Sequence, residues 1–318
     1  ATFYSTEKRL RQLLKPMYEN FIERLNDQPG GLEFLTVMRR DLLDALKVED
    51  NPSLEALDSF LKEKILASLS PGNLQFRRIT WDDPASLLEK IVSFEAVHPI
   101  SKISDLKRRL GLGRRCFGYF HPSIPGEPLV FVEVALMENV AQTIEEVLSD
   151  DSPIPETEAK CAVFYSISSP HRGLSGINLG KLLIKQAIDA VNKGMPNIST
   201  FATLSPIPEF MPWLLRKLES AEIPDPFSSG EHLLKQEEEE AILVGAAQFG
   251  ASGSGKQVLL DLLKAEEGHH KWTESLELSN ALKAPLMRLC ASYLLKNRKM
   301  QKASDPVENF HLQNGAVM

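Results

Sequence analysis

The sequence lacks the long apolar run that a membrane-spanning helix requires. Such a helix needs roughly 18 to 20 consecutive apolar residues, whereas the best candidate, at 241–249, is shorter and contains Gly245 and Gln248. With 43% hydrophobic and 25% charged residues, the chain nevertheless has enough apolar side chains to bury a core. We therefore expect a folded protein with no membrane partner.

Positive charge and cysteine are also scarce. The 36 Lys and Arg are outnumbered by 43 Asp and Glu, giving a net charge of -7, so we expect no nucleic-acid partner. The cysteines, Cys116, Cys161 and Cys290, are odd in number and far apart. They show no metal-type spacing and favour a reducing compartment over a disulfide scaffold. No apolar signal peptide opens the chain, and we expect a cytoplasmic protein without a metal.

The first 70 residues contain helical patterns only. Apolar residues recur at helical spacing in segments 10–25, 32–46 and 54–65, and the Pro-Gly-Gly stretch ending at residue 31 separates the first two. Ser53 stands where the cap of the third helix belongs. These segments predict an all-α helical bundle. The first stripe consists of Leu10, Leu13, Leu14, Met17, Phe21 and Leu25.

The pattern changes after residue 72. Runs rich in β-branched and aromatic residues at 128–137, 161–168 and 198–204 predict strands, and a helix at about 176–193 lies between the last two. This order predicts a strand–helix–strand unit. We therefore predict an α+β chain with two domains, a helical one at 1–72 and an α/β one at 73–318.

The segment 168–185 is the first candidate site. It leaves a predicted strand, passes Gly173 and Gly176, and enters a helix that contains Gly180. Glycines allow a ligand to approach the backbone, and the N–H groups of a first helical turn can hold phosphate. The pattern resembles the coenzyme A pyrophosphate loop of the acetyltransferase-like (GNAT) superfamily, although an ordinary glycine turn would give the same spacing.

Two polar residues form further candidates. Ser205 follows a predicted strand in a stretch stiffened by Pro206 and Pro208, where it could present its hydroxyl to a ligand or simply cap the next helix. His311 lies in a polar C-terminal segment and could donate a proton near neutral pH. A histidine with a purely structural role would show the same local sequence.

Two basic features are more ambiguous. Arg108, Arg109, Arg114 and Arg115 could neutralise phosphate or carboxylate groups, or form structural salt bridges. The stretch 250–256 has the glycine spacing of a nucleotide-binding P-loop. However, Gln257 replaces the hydroxyl residue that would bind Mg²⁺, so we expect a flexible Gly/Ser loop.

An ordered set of motifs resembles the malonyl-CoA decarboxylase family. The motifs are RITW at 78–81, EAVHP at 95–99, KRRLG at 107–111, RRCF at 114–117, PGEPLV at 125–130, RGLSG at 172–176, LSPIPEF at 204–210 and FHLQNGA at 310–316. The resemblance implies a helical N-terminal bundle followed by a GNAT-like α/β domain that binds acyl-CoA. It also implies conversion of malonyl-CoA to acetyl-CoA and CO2 by a carboxy-lyase that uses no cofactor or metal.

The resemblance also implies roles for individual residues and a tetrameric assembly. Ser205 and His311 match the catalytic serine and histidine. The segment that would bind coenzyme A comprises Arg172, Gly173, Leu174, Ser175, Gly176, Ile177, Asn178, Leu179, Gly180 and Lys181. Asn178 stands where some relatives have glutamate, so no carboxylate role is assigned there. The family's pattern continues beyond residue 318, and we expect a chain that is part of a longer protein.

Two other functions stay open at this point. A GNAT-like acyltransferase would need a groove for an amine acceptor, and a non-enzymatic acyl-CoA-binding scaffold would use the helical bundle for assembly. The presence of both Ser205 and His311 favours the decarboxylase. In that reaction an oxyanion is stabilised while an enolate forms and is protonated on carbon.

Overall fold

The computed structural model describes residues 2–149, 153–220, 233–247, 253–264, 272–296, 298–299, 302–303 and 305–317. The chain divides into two compact units, Ala1–Ser205 and Pro206–Met318. This division differs from the boundary expected after residue 72, which stays a prediction. The mixture of helices with a five-stranded sheet confirms the predicted α+β class.

The first unit begins with four helices, one more than the apolar stripes indicated. These are α1 (Thr2–Leu14), α2 (Met17–Asn26), α3 (Gly31–Ala45) and α4 (Pro52–Ser68). The stripe assigned to one helix at 10–25 is broken, because Pro16 has no backbone N–H and cannot continue a helix. The cap of α4 is Asn51, whose side chain accepts the Ser53 N–H, so the expected Ser53 cap was wrong.

A single five-stranded sheet follows these helices, with the strands side by side in chain order. Its strands are β1 (Gln75–Ile79), β2 (Arg114–Phe120), β3 (Val130–Met137), β4 (Cys161–Ser168) and β5 (Thr200–Thr203). Neighbours from β1 to β4 are antiparallel, whereas β4 and β5 are parallel. Helix α8 (Leu179–Gly194) connects β4 to β5, which confirms the predicted strand–helix–strand unit.

Helices cover both faces of the sheet. The strand β3 is buried along nearly its whole length, which requires cover on each side. Helices α5 (Ala85–Phe94) and α6 (Ile103–Arg109) pack on Cys116 and Phe131. The short α7 (Ile144–Leu148) packs nearby through Val147. The buried stripe of α8, which includes Leu183, Ala187 and Val191, packs on β2 and β3.

The second unit is mainly helical. Its elements are α9 (Phe210–Glu219), α10 (Gln236–Ala246), α11 (Gly255–Lys264), α12 (Leu276–Lys296), α13 (Pro306–Gln313) and two short paired strands, β6 (Arg298–Lys299) and β7 (Lys302–Ala303). Its core contains Leu214, Ile242, Leu259, Leu282 and Leu289. None of the described helices combines the length and the apolar character needed to cross a membrane.

The P-loop-like stretch at 250–256 lies in this unit. Residues 250–252 lie outside the described residues. Gly255 and Lys256 open helix α11, and the Lys256 ammonium donates to the Ser220 carbonyl at 2.9 Å. The predicted loop is therefore wrong for Gly255 and Lys256, which are helical.

Candidate functional site

The loop between β4 and α8 is partly exposed. A short 3-10 turn spans Arg172–Leu174, and Gly176 takes a left-handed conformation with a φ of 75°. The side chain of Asn178 precedes α8 but makes no capping hydrogen bond. The first N–H groups of a helix have no intrahelical acceptor, and they carry the positive end of its dipole. This end of α8 can therefore receive an anion such as phosphate.

The predicted coenzyme A residues differ in how accessible they are. Gly173, Leu174 and Leu179 are buried and anchor the loop, whereas Ile177, Gly180 and Lys181 are half-buried. Arg172, Ser175, Gly176 and Asn178 are exposed. A ligand could reach the loop between Ser175 and Asn178.

Arg39 on α3 hydrogen-bonds to the backbone of this loop. No motif in the sequence indicated a role for Arg39. Its side chain is 3% exposed. Its Nη1 atom donates to the carbonyl oxygens of Gly173 at 2.6 Å and Ser175 at 2.9 Å, while Nε pairs with Asp58 of α4 at 2.8 Å. A planar guanidinium can make several such bonds in fixed directions. The loop conformation therefore depends on helices α3 and α4.

Gly173 is required by the packing of α3. A Cβ atom added at Gly173 would lie 1.9 Å from the carbonyl oxygen of Thr36, closer than any side chain can fit. The sequence suggested that this glycine admits a ligand, but helix α3 occupies the space. Gly176 is different, because a Cβ atom there would lie 2.9 Å from Nζ of Lys62. A lysine ammonium thus lies beside the exposed part of the loop.

A buried carboxylate fixes the strand that leads into the loop. Glu95 is 6% exposed and accepts hydrogen bonds from the hydroxyls of Ser166 and Ser168 at the end of β4. It also accepts the backbone N–H groups of Val97 and His98. The EAVHP motif therefore closes a turn against β4. Burial lowers the pKa of His98.

The arginine cluster belongs to the interior and to surface ion pairs. Arg109 is buried and pairs with Asp105 and Glu133, while Arg108 also pairs with Asp105. Arg114 is buried and donates to the Val147 carbonyl. Arg115 pairs with Glu156. The structure supports the alternative of structural salt bridges over a phosphate-binding patch.

Glu133 is a buried carboxyl group whose pKa is strongly raised. It is fully buried on β3, 3.1 Å from Arg109. Burial, reinforced by the charge of Glu95, raises its pKa to about 7 even though Arg109 opposes the shift. The cost of burying a carboxylate charge thus exceeds what one partner offsets. Glu133 therefore takes up its proton near neutral pH.

Ser205 follows the edge strand β5 at the end of the sheet where the loop also begins. The N–H of Leu204 donates to the Phe164 carbonyl of β4 at 2.9 Å, which continues the parallel pairing one residue beyond β5. The carboxyl ends of parallel strands lie at the same sheet edge. Ser205 is half-buried, and the cap of α9 is Glu209. Ser205 therefore does not cap that helix.

His311 lies on α13 in the second unit. Its imidazole is half-buried, and burial lowers its pKa from the ordinary value. The ring of Phe310 stands edge-on to it, with centroids 5.2 Å apart. The carbonyl of His311 accepts the N–H groups of Asn314 and Ala316, which closes the helix. The loop residues and Ser205 thus belong to the first unit, and His311 belongs to the second.

A metal site would need a cluster of His, Cys, Asp or Glu side chains within the described ranges. No group of three or more His, Cys, Asp or Glu residues there is arranged to hold a metal ion. The three cysteines carry free thiols, two of them buried, and burial raises the pKa of Cys116 and Cys161. Thiols of this kind are poor nucleophiles.

Comparison with known families gives matches along nearly the whole chain. A family profile described as the malonyl-CoA decarboxylase N-terminal domain matches residues 2–69, and one described as the malonyl-CoA decarboxylase C-terminal domain matches residues 72–318.

Individual relatives agree with the profiles. The chain is 39% identical to the mitochondrial malonyl-CoA decarboxylase of Rattus norvegicus over 324 residues, covering 100% of this chain and 63% of the relative. It is 38% identical to that of Anser anser anser, covering 98% and 60%. The chain therefore spans less than two thirds of the length of these curated relatives.

Solved structures show the same likeness. The crystal structure of malonyl-CoA decarboxylase from Rhodopseudomonas palustris superposes with a TM-score of 0.79 at 34% identity, covering 98% of this chain and 69% of that one. The structure from Agrobacterium vitis gives 0.77 at 33% identity, covering 96% and 68%.

Proposed function

Because the chain belongs to the malonyl-CoA decarboxylase family, we propose that the whole protein is a carboxy-lyase that converts malonyl-CoA to acetyl-CoA and CO2. The observation that carries this proposal is the largely exposed stretch from Ser175 to Asn178, which leads directly into the first turn of α8, where Asn178 makes no side-chain capping hydrogen bond. Coenzyme A carries a pyrophosphate, which suits such a helix end.

Binding is proposed at this loop. The N–H groups of Gly180 and Lys181 would donate hydrogen bonds to pyrophosphate oxygens, and the ammonium groups of Lys62 and Lys181 would add positive charge. Arg172, Gly173 and Leu174 shape the approach to the loop. Leu179 anchors the helix, and Ile177 offers an apolar surface.

The chemistry requires one bond to break and one proton to move. The bond between the carboxylate carbon and the methylene carbon breaks, and its electron pair enters the thioester to form an enolate with negative charge on oxygen. A proton then adds to carbon and gives acetyl-CoA. No electron acceptor beyond the thioester is needed, so the proposed reaction uses neither metal nor prosthetic group.

We assign the proton delivery to His311 and a hydrogen-bonding role to Ser205. An imidazolium can protonate the enolate carbon near neutral pH. An unactivated hydroxyl is a poor base, and Ser205 would instead donate a hydrogen bond to the departing carboxylate or to the thioester oxygen. A donor aimed at the developing oxyanion lowers the barrier more than it stabilises the substrate.

The direct test is to incubate the full-length protein with malonyl-CoA and to follow CO2 and acetyl-CoA. We expect both products in equal amounts without any acceptor. A GNAT-like acyltransferase would form product only after an amine is added, and an acyl-CoA-binding scaffold would bind malonyl-CoA without releasing CO2. Either result would contradict the decarboxylase.

We also propose that the protein assembles as a homo-oligomer, with a tetramer favoured. The support is an apolar surface on α1 and α2, where Leu13, Leu14, Met17 and Phe21 are 74%, 71%, 92% and 62% exposed. Exposed apolar clusters are typical of association surfaces. Sedimentation of full-length protein carrying Leu13→Glu and Phe21→Glu should show smaller species than wild type. An unchanged assembly would contradict this surface.

We propose that the compartment is the cytoplasm, on the basis of the free thiols. The curated relatives carry the word mitochondrial in their names. Fractionation of cells that express the full-length protein separates the two compartments. Recovery with the mitochondrial matrix would contradict the cytoplasmic assignment.

A further inference from the structure

Asp305 is a fully buried carboxylate immediately before the helix that carries His311. Its side chain is 0% exposed, and it caps α13. Its Oδ1 atom accepts the N–H groups of Val307 at 2.9 Å and Glu308 at 3.2 Å. Asp is among the preferred N-cap residues, and its charge suits the positive end of the helix. One oxygen of the carboxylate is therefore committed to α13.

The other oxygen reaches two other helices. Oδ2 accepts the N–H of Glu209, the cap of α9, at 3.2 Å, and the hydroxyl of Tyr293 on α12 at 3.4 Å. The Tyr293 ring packs against Phe210 and Trp213 of α9, with centroids 5.9 and 5.2 Å away. A single side chain thus joins α9, α12 and α13.

The hydrogen bond between Asp305 and the N–H of Glu209 matters because Glu209 lies close to Ser205 in the chain. Glu209 lies four residues after Ser205 (209 minus 205), and the intervening stretch contains Pro206 and Pro208. Proline fixes its own φ and restricts the preceding residue, so a segment with alternate prolines has few conformations. A hydrogen bond at Glu209 therefore restrains the end of a stiff segment that starts next to Ser205.

We infer, on the basis of the proposed function, that Asp305 is a positioning residue that holds His311 through α13 and secures the segment following Ser205 through Glu209. It touches neither substrate nor reacting atoms in this role. A carboxylate is needed because two acceptor oxygens must serve donors on two sides. Asparagine has one such oxygen, so whichever way its amide is turned, one set of N–H donors faces an NH2 group.

The first experiment tests, without an activity assay, whether Asp305 restrains both α13 and the segment that follows Ser205. Amide hydrogen exchange of the full-length protein would be compared for wild type, Asp305→Asn and Asp305→Ala, in peptides covering 206–212 and 305–317. We expect faster exchange in one of these segments for Asp305→Asn and in both for Asp305→Ala, since exchange reports local opening. Unchanged exchange in Asp305→Ala would overturn the inference whether or not the protein is a decarboxylase.

The second experiment asks whether Asp305 acts through His311. A cycle of Asp305→Ala, His311→Ala and the double variant would be assayed with malonyl-CoA, with rates expressed per folded protein. We expect Asp305→Ala to lower kcat by about tenfold or more, because small displacements of a catalytic group are costly. In the His311→Ala background the same change should cost less than about twofold, since residues acting as a unit are not additive.

A merely structural role for Asp305 predicts a different result. Because rates are expressed per folded protein, loss of folded protein alone would leave kcat unchanged in both backgrounds, and this outcome would overturn the positioning role. Thr143→Ala is the matched control, because Thr143 caps α7 through the Glu146 N–H and that helix carries no proposed site residue. It should lower the melting temperature and leave kcat unchanged. If wild type releases no CO2, the proposed function fails, and the catalytic part of the inference fails with it. The exchange experiment still decides whether Asp305 restrains the two segments.

Discussion

The guanidinium of Arg39 donates to the carbonyl oxygen of Gly173 at 2.6 Å and so joins two residues 134 positions apart in the chain. The same nitrogen also donates to the Ser175 carbonyl, and the opposite side of Arg39 pairs with Asp58. The loop proposed to bind coenzyme A is therefore shaped by helices near the N-terminus as well as by the sheet that presents it.

Replacing Arg39 by lysine tests this dependence. Lysine keeps the charge but has no planar fork, so it cannot reach both carbonyls and Asp58 together. We expect the KM for malonyl-CoA to rise by about tenfold, equivalent to about 1.4 kcal/mol, with a smaller change in kcat. Arg40→Lys is the control, since Arg40 is exposed and pairs with its chain neighbour Asp41. Equal KM values for the two variants would contradict the role of Arg39.

Gly173→Ala tests the packing of the same loop against α3. The added methyl group would overlap the Thr36 carbonyl oxygen, so either the loop or the helix must move. Overpacking of this kind costs about 1 to 3 kcal/mol or more. Gly194→Ala is the control, because a Cβ atom there meets nothing within 4 Å. Thermal unfolding should show a clear loss for Gly173→Ala alone; similar melting temperatures would show that the loop adapts freely.

His311→Ala should reduce turnover by about 10²-fold or more if His311 delivers the proton. Only the protonated imidazole can donate, and burial lowers its pKa. The wild-type kcat should therefore fall as pH rises through a value below the ordinary histidine pKa. The variant should lack that limb. His121→Asn is the control, because His121 follows strand β2 and has no proposed role in the reaction. This variant should retain both the wild-type kcat and its pH dependence. A near-normal rate in His311→Ala would exclude the assignment.

Glu133 predicts how stability depends on pH. Its pKa is raised to about 7 in the folded protein, so the folded state holds a proton that the unfolded state has lost. The free energy of unfolding should then fall as pH rises from about 4.5 to about 7, by up to about 3 kcal/mol. Glu133→Gln should flatten this slope, whereas the exposed Glu89→Gln should not. The measurement is the melting temperature across this pH range. Equal slopes of melting temperature against pH for wild type and Glu133→Gln would refute the prediction.

The parts of the fold that were predictable have strong local patterns. The runs that became β3 and β4 are rich in Val and Phe, and helix α8 has a regular apolar stripe, so local sequence was sufficient. Strand β1 was missed because Gln75, Arg77 and Arg78 hide the alternation. The first apolar stripe was assigned to one core helix, but Pro16 splits it and much of it is exposed.

In the candidate site, too, the parts with a contiguous local pattern were predictable and those formed by distant residues were not. The strand, glycine loop and helix were recognisable because they are contiguous, and the family resemblance carried by the ordered motifs was confirmed by both profiles. Arg39, Lys62 and Asp305 were not singled out, since their partners lie far away in sequence or are backbone groups that leave no pattern. The roles of Ser205 and His311 stay predictions.

The contact between Thr36 and Gly173 limits how such proteins can be recombined. A chimera that joined the helices of one relative to the sheet of another would bring together surfaces with no room for adjustment at that point. We expect functional exchange only where residues 36, 39, 58 and 173 come from the same parent. The helical segment and the loop thus form one packing unit, even though more than 100 residues of sequence separate them.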